Sequence, residues 1–292
     1  SKNAGKNFSA KLTIQKEAYK QTLVEYVKLQ YTGTQGENNI YYHNGTITGD
    51  DGTVLDAGDN SYRYAGASDS VNNYICLGSD KATCPDANLF RIIGVFGDKT
   101  KVIRAKSVGE QKWHTSADNT WSSSSLNAYL NGTYLTSLGT IAEKIATTTW
   151  KVGGGSGSNI SASVPKTAYK NEVGSSASTT IIDKKIGLMY VSDYGFSAGP
   201  SAWTYNMNVY SSRIISSVNW MRSRINEWSI TRYSDSDGYA CTLQSNGSVW
   251  VQVVNNGYEM LSGYSIRPVF FLNPSVIYAS GIGTQSDPIR LS

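Results

Sequence analysis

An acidic residue lies among tryptophans at one point of this 292-residue chain, and such a pairing could support glycan chemistry. Glu227 is followed directly by Trp228 and lies near Trp220. A carboxylate in this setting can act on a glycosidic bond, although its partner carboxylate would have to come from a separate element. The alternative, which we favour, is a buried structural carboxylate that pairs with Arg232 or Arg267.

The other common catalytic and metal-binding motifs do not form in this sequence. The two histidines, His43 and His114, occur in unrelated contexts, and no Ser or Cys stands in a nucleophile-elbow setting. No Gly-rich phosphate loop follows a predicted strand, and zinc is disfavoured because there is no CxxC pair. We therefore expect a protein that is not an enzyme and that needs no cofactor.

Two acidic stretches could bind calcium, which takes several oxygen ligands from a flexible loop. The first contains Asp50, Asp51, Asp56 and Asp59, and its spacing fits no standard calcium loop. The second, Asp235-Ser236-Asp237-Gly238, begins like an EF-hand loop but has no Glu at the twelfth position. Solvated turn residues are the favoured interpretation of both stretches, and calcium is kept as the alternative.

The three cysteines predict one disulfide and one free thiol. Cys76 and Cys84 are eight residues apart across a loop with Gly and Pro, a spacing that a disulfide can close. Cys241 stands alone inside a predicted strand, where we expect it to be buried and free. A disulfide indicates an oxidising, extracellular location, and three reduced cysteines in a cytosolic protein are the alternative.

The composition is typical of a polar, aromatic surface with few charges. Charged residues make up 16% of the chain, against about 25% in an average domain, and there are 20 Tyr, 7 Trp and 28 Gly. Tyr, Ser, Gly and Asn are the residues that binding surfaces such as paratopes favour. A generic β-rich secreted protein would have much the same composition.

The net charge of +4 belongs to the first 30 residues, which contain six lysines and two glutamates. The rest of the chain is neutral, so a folded domain would lack the basic stripe of a nucleic-acid reader, and we exclude nucleic acid as a partner. No run approaches the roughly 18 consecutive apolar residues that a membrane helix needs.

Residues 9–31 carry apolar side chains at helical spacing, which predicts one amphipathic helix ended by Gly33. The helix could be a stalk that joins a membrane or filament anchor to the protein, or it could pack on its own domain. Because the chain starts at Ser1 without Met, we expect an anchor or leader to precede it. The predicted domains are 1–32, the helix or stalk, and 33–292, a binding domain with insertions.

The C-terminal stretch has the strongest turn signals. Asn246-Gly247 and Asn256-Gly257 predict hairpins with type I′ turns, and hence a meander of three strands that leads into a fourth. Alternation divides the middle strand, residues 248–254, into a core-facing set and an outward-facing set. The core-facing set is Val249, Val251 and Val253, and the outward-facing set is Trp250, Gln252 and Val254.

The upstream part of the chain predicts further strands and short helices. Residues 88–105 predict two apolar strands joined by a turn at Gly97-Asp98-Lys99, without evident chemistry. Residues 121–150 predict short helices that cover the sheet. Residues 153–180, rich in Gly, Ser, Ala and Thr, predict a long surface excursion, and residues 185–203 predict a buried strand that ends in a turn.

Two runs near the C-terminus resemble a known fold family. Asn226-Glu227-Trp228-Ser229, followed by Ser265-Ile266-Arg267-Pro268-Val269-Phe270, resembles the ending of C-type-lectin-like domains related to formylglycine-generating enzymes. Diversity-generating retroelements use this fold for their hypervariable proteins. Strings such as NLFRIIGVFGDKTKVIRA, with the Cys pair before it, also make the chain similar to surface and prophage proteins of gut Firmicutes.

The resemblance implies an α+β, C-type-lectin-like domain with antiparallel sheets and short helices, preceded by the N-terminal amphipathic helix. It makes Glu227, Trp228 and Arg267 structural, and it implies no formylglycine-type oxidase, because that activity requires copper-binding cysteines and Cys241 stands alone. The ligand-binding residues would be variable. The candidates are Tyr233, Asp235, Asp237, Tyr239, Thr242, Gln244, Trp250, Gln252, Asn255, Asn256, Tyr258, Glu259 and Tyr264.

These observations predict a non-enzymatic, surface-displayed adhesin or variable receptor-binding protein. Its expected partner is an unidentified protein or glycan on a cell surface. One alternative is a pilin-like subunit that polymerises through the helix of residues 9–31, and the second is a glycan-active enzyme that uses Glu227.

The encoding DNA from several isolates tests the variable-receptor hypothesis. If a retroelement diversifies the protein, we expect substitutions to concentrate between Arg232 and Tyr264, at adenines of a nearby template copy. Sequencing of the gene and its flanks measures this distribution. Substitutions scattered along the whole chain would remove the main support for the hypothesis.

Overall fold

A computed structural model of the chain describes Gly5 and residues 19–153, 160–173, 180–212, 217–233, 238–254 and 264–292, without the side chains of Thr180, Ile181, Ser212 and Val253. The strands are β1 (Ile40–His43), β2 (Ser61–Tyr64), β3 (Tyr74–Cys76), β4 (Leu89–Phe96), β5 (Lys99–Arg104), β6 (Glu110–Gln111), β7 (Thr148–Val152), β8 (Thr180–Lys184), β9 (Ile186–Gly187), β10 (Glu227–Arg232), β11 (Tyr239–Leu243), β12 (Val249–Val253), β13 (Tyr264–Ser265), β14 (Val269–Leu272), β15 (Tyr278–Ser280) and β16 (Arg290–Leu291). The α-helices are α1 (Leu23–Leu29), α2 (Ser125–Tyr129), α3 (Leu135–Ser137), α4 (Ile141–Lys144), α5 (Pro165–Val173) and α6 (Val191–Phe196). A π-helical turn covers Leu130–Tyr134, and 3-10 turns lie at Glu37–Asn39, Asp86–Asn88, Trp121–Ser123, Ile160–Ala162, Pro200–Ala202 and Met207–Ser212.

The described residues form mostly antiparallel sheets with short helices, which confirms the predicted α+β class. The larger of the two main sheets, the large sheet, has the order β1-β2-β4-β5-β14-β9, with β3 also paired to β4. The second, the C-terminal sheet, has the order β12-β11-β10-β13-β6. β10 and β13 run parallel, and the other described strand pairs of these sheets are antiparallel.

The predicted Gly97 hairpin is confirmed and lies at the centre of the large sheet. β4 and β5 pair along their length, and Gly97 has a φ of 63°, a conformation that suits glycine. Every residue of β4 except Phe96 is buried, as is every residue of β5 except Lys99. A strand that is covered on both faces must bury its polar side chains too, and this brings Arg91 and Lys101 into the interior.

The predicted C-terminal meander is confirmed for β10, β11 and β12, which pair as successive antiparallel strands. The turn between β11 and β12 differs from the predicted type I′ form. Gly247 has a φ of 99°, but Asn246 is not at positive φ, and the Gly247 amide donates to the Gln244 carbonyl at 2.8 Å. This is a wider turn, in which Gly247 alone takes the left-handed conformation. The second predicted turn, Asn256-Gly257, lies outside the described residues.

The alternation predicted for β12 holds at its start and fails beyond its end. Val249 is buried and Trp250 is exposed, as the pattern predicts, and the next two side chains are half-buried. Val254 is buried, although alternation places it on the outer side. The Val254 amide donates to the Gly238 carbonyl at 2.8 Å, which continues the register of β11 and β12, and the Val254 carbonyl accepts from the His114 amide at 3.2 Å. The chain around His114 therefore packs against this end of the strand.

The described part of the N-terminal helix, α1, packs on the body of the protein. A capping box starts the helix, Leu23 and Val27 are buried, and the Tyr26 ring stacks on Tyr278 with 3.9 Å between centroids. Residues 9–18 of the predicted helix lie outside the described part, and the boundary at residue 32 stays a prediction. Among the helices in the described ranges, none has the length and apolar character needed to cross a bilayer.

Two segments before the C-terminal sheet differ from the prediction. The Gly- and Ser-rich excursion of residues 153–180 contains the nine-residue helix α5, which buries Glu172. Residues 185–203 form β9 and then the fully buried helix α6, where a longer strand and a turn are predicted. Packing stabilises these helices, because the missing side chain of Gly195 on α6 leaves the space that Pro165 of α5 occupies.

Helix α5 carries a carboxylate into the interior. Glu172 is fully buried and accepts hydrogen bonds from the Thr231 hydroxyl at 2.5 Å and from the Ser192 amide at 3.3 Å. Burial raises the pKa of this carboxyl to about 7 against the effect of these hydrogen bonds, and the Asp193 charge adds to the rise. The folded protein therefore keeps a proton on Glu172 at pH values where the unfolded chain has lost it.

Replacing Glu172 by Gln should change how stability depends on pH. Because the folded-state pKa lies above the ordinary 4.5, the native protein loses stability as the pH rises from 4.5 to about 7, by on the order of 3 kcal/mol. The amide of Glu172→Gln has the shape of the protonated acid, so the variant lacks this loss. Urea unfolding of both proteins at several pH values across this range measures the effect.

The readout is the difference between the free energies of unfolding of the two proteins. The pKa of buried His43 is lowered by burial and by the Arg63 charge, so His43 makes stability rise with pH. It does so in both proteins, and its contribution cancels in the difference. Glu143→Gln, at an exposed position of α4, is the matched control. A difference between wild type and Glu172→Gln that stays constant with pH would contradict the prediction.

Candidate functional site

The C-terminal sheet has one face on which three strands place their side chains next to each other. Trp228 on β10 pairs with Thr242 on β11, which pairs in turn with Trp250 on β12. Directly paired residues of antiparallel strands point to the same side, so the three side chains form one row. Gln252 follows on the same side of β12. We call this surface the outer face, and its residues are Trp228, Thr242, Gln244, Trp250, Gln252 and Tyr264.

Trp228, Tyr264 and Gln252 form the floor of the outer face, and hydrogen bonds and a ring contact join them to each other and to β6. The Trp228 indole donates to the Gln111 carbonyl at 2.9 Å, and its ring lies 4.8 Å from the Tyr264 ring, centroid to centroid. The Tyr264 hydroxyl accepts a hydrogen bond from Gln252 Nε2 at 2.7 Å. These contacts connect β6, β10, β12 and β13, so they hold the floor in one arrangement.

Trp250 projects from this floor on the edge strand β12. It is 55% exposed, whereas the other six tryptophans of the chain are at most 3% exposed. Its cross-strand neighbour Thr242 is fully buried, and the Thr242 hydroxyl accepts from the Gln244 side chain at 2.8 Å. A large aromatic side chain is thus presented to solvent from an ordered support, as are the residues that dominate many protein interfaces.

A buried ion pair lies directly beside the outer face. Glu227 Oε1 accepts from Arg267 Nε at 2.6 Å, and Glu227 Oε2 accepts from Arg267 Nη2 at 2.8 Å. The Ser223 hydroxyl donates to Glu227 at 2.7 Å, and Arg267 also donates to the Met221 carbonyl at 2.6 Å. The sequence left Arg232 and Arg267 open as partners of Glu227, and in the structure the partner is Arg267. Glu227 is fully buried, so its carboxylate does not reach the surface.

Two of the candidate residues lie away from the outer face. Tyr239 pairs with Val253, one position out of phase with Gln252, so its side chain points to the opposite side of the sheet. Tyr239 is 37% exposed, and its ring lies 6.2 Å from that of Tyr233. Asn119 holds this end of the sheet by donating to the carbonyls of Tyr233 at 2.9 Å and Tyr239 at 2.8 Å. The structure therefore divides the described candidates into two groups.

The remaining candidates lie outside the described residues, and they are Asp235, Asp237, Asn255, Asn256, Tyr258 and Glu259. Their contribution to binding stays a prediction, as does any calcium site in the stretch from residue 235 to residue 238.

The predicted disulfide between Cys76 and Cys84 is confirmed, with the two Cα atoms 5.8 Å apart. Cys241 is free and buried in β11, and burial raises the pKa of its thiol. A buried thiol with a raised pKa is a poor nucleophile, so Cys241 is best regarded as part of the core.

Two of the four aspartates of residues 50–59, Asp51 and Asp56, accept hydrogen bonds from the amides of their own loops. Asp56 is buried and accepts from the amides of Gly45 at 2.9 Å, Ile47 at 3.0 Å and Gly58 at 2.8 Å. Asp51 accepts from the amide of Thr53 at 2.9 Å. Within the part of the chain that the structure describes, no three or more His, Cys, Asp or Glu residues group together in a way that could hold a metal ion.

Sequence reasoning missed a group of charged side chains buried against the large sheet. The Lys101 ammonium of β5 lies 2.5 Å from Asp193 of α6, and Arg63 of β2 lies 2.7 Å from Asp59. The sequence gives little signal, because β5 reads Lys-Thr-Lys-Val-Ile-Arg and nothing in this mostly polar strand shows that Lys101 is buried and therefore paired. Its partner could not be named, because Asp193 is distant in sequence.

Comparison of the chain with protein-family models, with curated proteins and with solved structures gave no match. The outer face itself offers an exposed indole with the half-buried amides of Gln244 and Gln252 on the same surface. This combination suits noncovalent contact, with apolar area from the ring and adaptable hydrogen bonds from the amides.

Removing one partner of the Glu227–Arg267 pair should destabilise the protein strongly. Arg267→Met leaves Glu227 buried without a compensating charge, and we expect the free energy of unfolding to fall by about 3–5 kcal/mol. The double variant Glu227→Gln/Arg267→Met should recover part of this loss, because it leaves no unpaired charge. Urea unfolding at neutral pH measures both values.

Lys106→Met is the matched control, because Lys106 forms an exposed ion pair with Asp86 at 2.6 Å. Its loss should cost less than about 1 kcal/mol. Similar losses from the buried and the exposed pair would show that Glu227 and Arg267 are not the structural frame described here.

Proposed function

We propose that this protein is a non-enzymatic binding protein displayed at a cell surface, and that the outer face is its contact surface. The proposed fold is C-type-lectin-like, with Glu227, Trp228 and Arg267 as its frame. The observation that carries the proposal is the 55% exposure of Trp250 in a chain whose other tryptophans are all buried. The proposed partner is a protein or a glycan on another cell.

The energetics of the outer face support this function. Covering the exposed part of the Trp250 ring would remove on the order of 100 Å² of apolar surface from water, which contributes about 2–3 kcal/mol to binding. The contacts among Trp228, Tyr264 and Gln252 already order the floor. Little conformational freedom is therefore left to lose when a partner binds.

The separation of frame from contact residues supports a surface that can be diversified. The Glu227 carboxylate is bonded on the inner side of the sheet, while Trp250 lies on the edge strand with most of its ring outside the core. Substitutions at Trp250 would therefore change the contact surface and leave the core intact. The Cys76–Cys84 disulfide supports an oxidising, extracellular location.

The geometry gives less support to the two rival functions. A glycan-active enzyme would need Glu227 at a surface, but this carboxylate is buried and accepts from Arg267 and Ser223. A filament subunit that polymerises through the N-terminal helix would need the apolar side of that helix to be free. In the described part of the helix, Leu23 and Val27 are buried in the core of the same chain.

Trp250→Ala tests the proposed contact surface. Fluorescently labelled wild-type and variant chains are applied to a glycan array and to panels of bacterial and epithelial cells. We expect the variant to bind about 30-fold more weakly or worse, because a central aromatic contact contributes about 2 kcal/mol or more. Its circular dichroism spectrum and melting temperature should match those of the wild type.

Ile282→Ala is the matched control, because it removes an apolar side chain of comparable exposure, 63%, between β15 and β16. This control should bind like the wild type. Tyr239→Ala examines the opposite side of the sheet and should have a smaller effect than Trp250→Ala. Unfolding of Trp250→Ala, or equal losses of binding in Trp250→Ala and Ile282→Ala, would contradict the proposal.

A further inference from the structure

A cavity of about 200 Å³ lies against the large sheet, bordered by β5, β7, α5 and α6. Its walls are the rings of Phe96, Trp150, Tyr169, Tyr190 and Phe271. Trp150 and Tyr190 are buried at its base, whereas the other three rings are half-buried, so the cavity opens to solvent on their side. None of the residues that line this cavity belongs to the outer face.

Five polar residues line the cavity, namely Lys101, Ser192 and Asp193, which lie close together, and Thr149 and Lys151 of β7. We call the first three the polar end. The Lys101 ammonium lies 2.5 Å from an Asp193 carboxylate oxygen, and within the described part of the chain this is its only hydrogen bond. An ammonium has three protons to donate, so Lys101 retains donor capacity. The Ser192 hydroxyl also lines the cavity, is buried, and has no hydrogen-bond partner among the described residues. Buried donors without acceptors are uncommon in native proteins, and a ligand can satisfy them.

The aromatic walls do not replace the missing acceptor. Lys101 Nζ lies 4.6 Å from the centre of the Tyr190 ring, 5.3 Å from that of Phe96 and 5.5 Å from that of Phe271. Cation–π attraction stabilises a buried ammonium, but a ring face provides no oxygen to receive its remaining protons. The cavity therefore combines apolar walls with unsatisfied donors at one end.

The charged groups at this cavity already have partners. Lys101 pairs with Asp193, and Arg63 pairs with Asp59 at 2.7 Å. Lys151, which also lines the cavity, donates to the Val173 carbonyl at 2.8 Å, at the C-terminal end of α5, where helix carbonyls favour a positive charge. Glu172, which lies next to Ser192, is partly protonated near neutral pH, because burial raises its pKa to about 7. A ligand with a full charge would have to compete with these existing contacts for a counter-charge while it loses its own water, which is costly. An uncharged ligand is therefore favoured.

The distribution of polar groups narrows the class of ligand further. Hydroxyls on all sides of a ligand, as in a sugar, would leave several of them against aromatic walls without partners. We propose that this cavity binds a small uncharged ring compound whose single hydroxyl or carbonyl oxygen accepts from Lys101, with Ser192 as the second donor. Drug-sized ligands occupy pockets of about 300 Å³ or more, so a cavity of about 200 Å³ suits a ligand of one ring.

Phenol and cyclohexanone are the probes that test this proposal, and benzoate and glucose are the comparison ligands. Binding to the whole chain is measured by isothermal titration calorimetry and by saturation-transfer NMR. We expect phenol and cyclohexanone to bind. Benzoate, which is a ring of the same size with a negative charge, should bind at least about tenfold more weakly than phenol.

Two variants locate the binding to this cavity. Ser192→Ala removes the second donor without breaking a described hydrogen bond of its hydroxyl, and it should weaken phenol binding about fivefold. Thr149→Trp places a large side chain at an exposed position that lines the cavity, and it should abolish binding. Ile282→Ala is the control and should bind phenol like the wild type. Circular dichroism establishes that each variant is folded.

Four outcomes would overturn the proposal. They are equal affinity for benzoate and phenol, preference for glucose over phenol, phenol binding that survives both cavity variants, and no binding of either phenol or cyclohexanone. The last outcome would leave the cavity as a gap in packing that holds water.

Discussion

The burial of charge in matched pairs is the constraint on which both main sheets depend. Glu227 begins β10 of the C-terminal sheet, and Arg267 lies on the segment that leads from β13 of that sheet to β14 of the large sheet. One bidentate ion pair therefore connects the two sheets. Taking these charges out of water costs several kcal/mol for each ion unless their remaining groups are satisfied, and here the Ser223 hydroxyl and the Met221 carbonyl complete the set. Glu227 also pairs with Ser265 in the parallel ladder of β10 and β13, two residues before Arg267.

The same constraint organises the large sheet and separates the two proposed sites. Lys101 is almost fully buried in a strand that is covered on both faces, Asp193 of α6 compensates its charge, and the rings around this pair line the cavity. The outer face is the opposite case, because Trp250 stands on an edge strand, where a large partner can reach it. One site suits a small molecule that enters the protein, and the other suits a macromolecule that covers its surface.

Features that depend on residues close together in the chain could be read from the sequence. The Gly97 hairpin, the meander of β10 to β12 and the Cys76–Cys84 disulfide are of this kind, because a turn or a short loop brings their partners together. Alternation along β12 also identified Trp250 as outward-facing, since successive side chains of a strand point to opposite sides. The sequence also limited the partner of the Glu227 carboxylate to two residues, Arg232 and Arg267.

Only the tertiary structure decided features that depend on distant contacts. Local composition disfavours a helix between residues 153 and 180, yet packing of α5 on α6 stabilises one and buries Glu172. The cavity around Lys101 could not be predicted from the sequence, because the residues that line it are spread from Phe96 to Phe271. Tyr239 is grouped with Trp250 by position along the chain, but the register between β11 and β12 turns it to the opposite side of the sheet. Register depends on which residues of neighbouring strands face each other, and a shift of one residue moves every side chain to the other face.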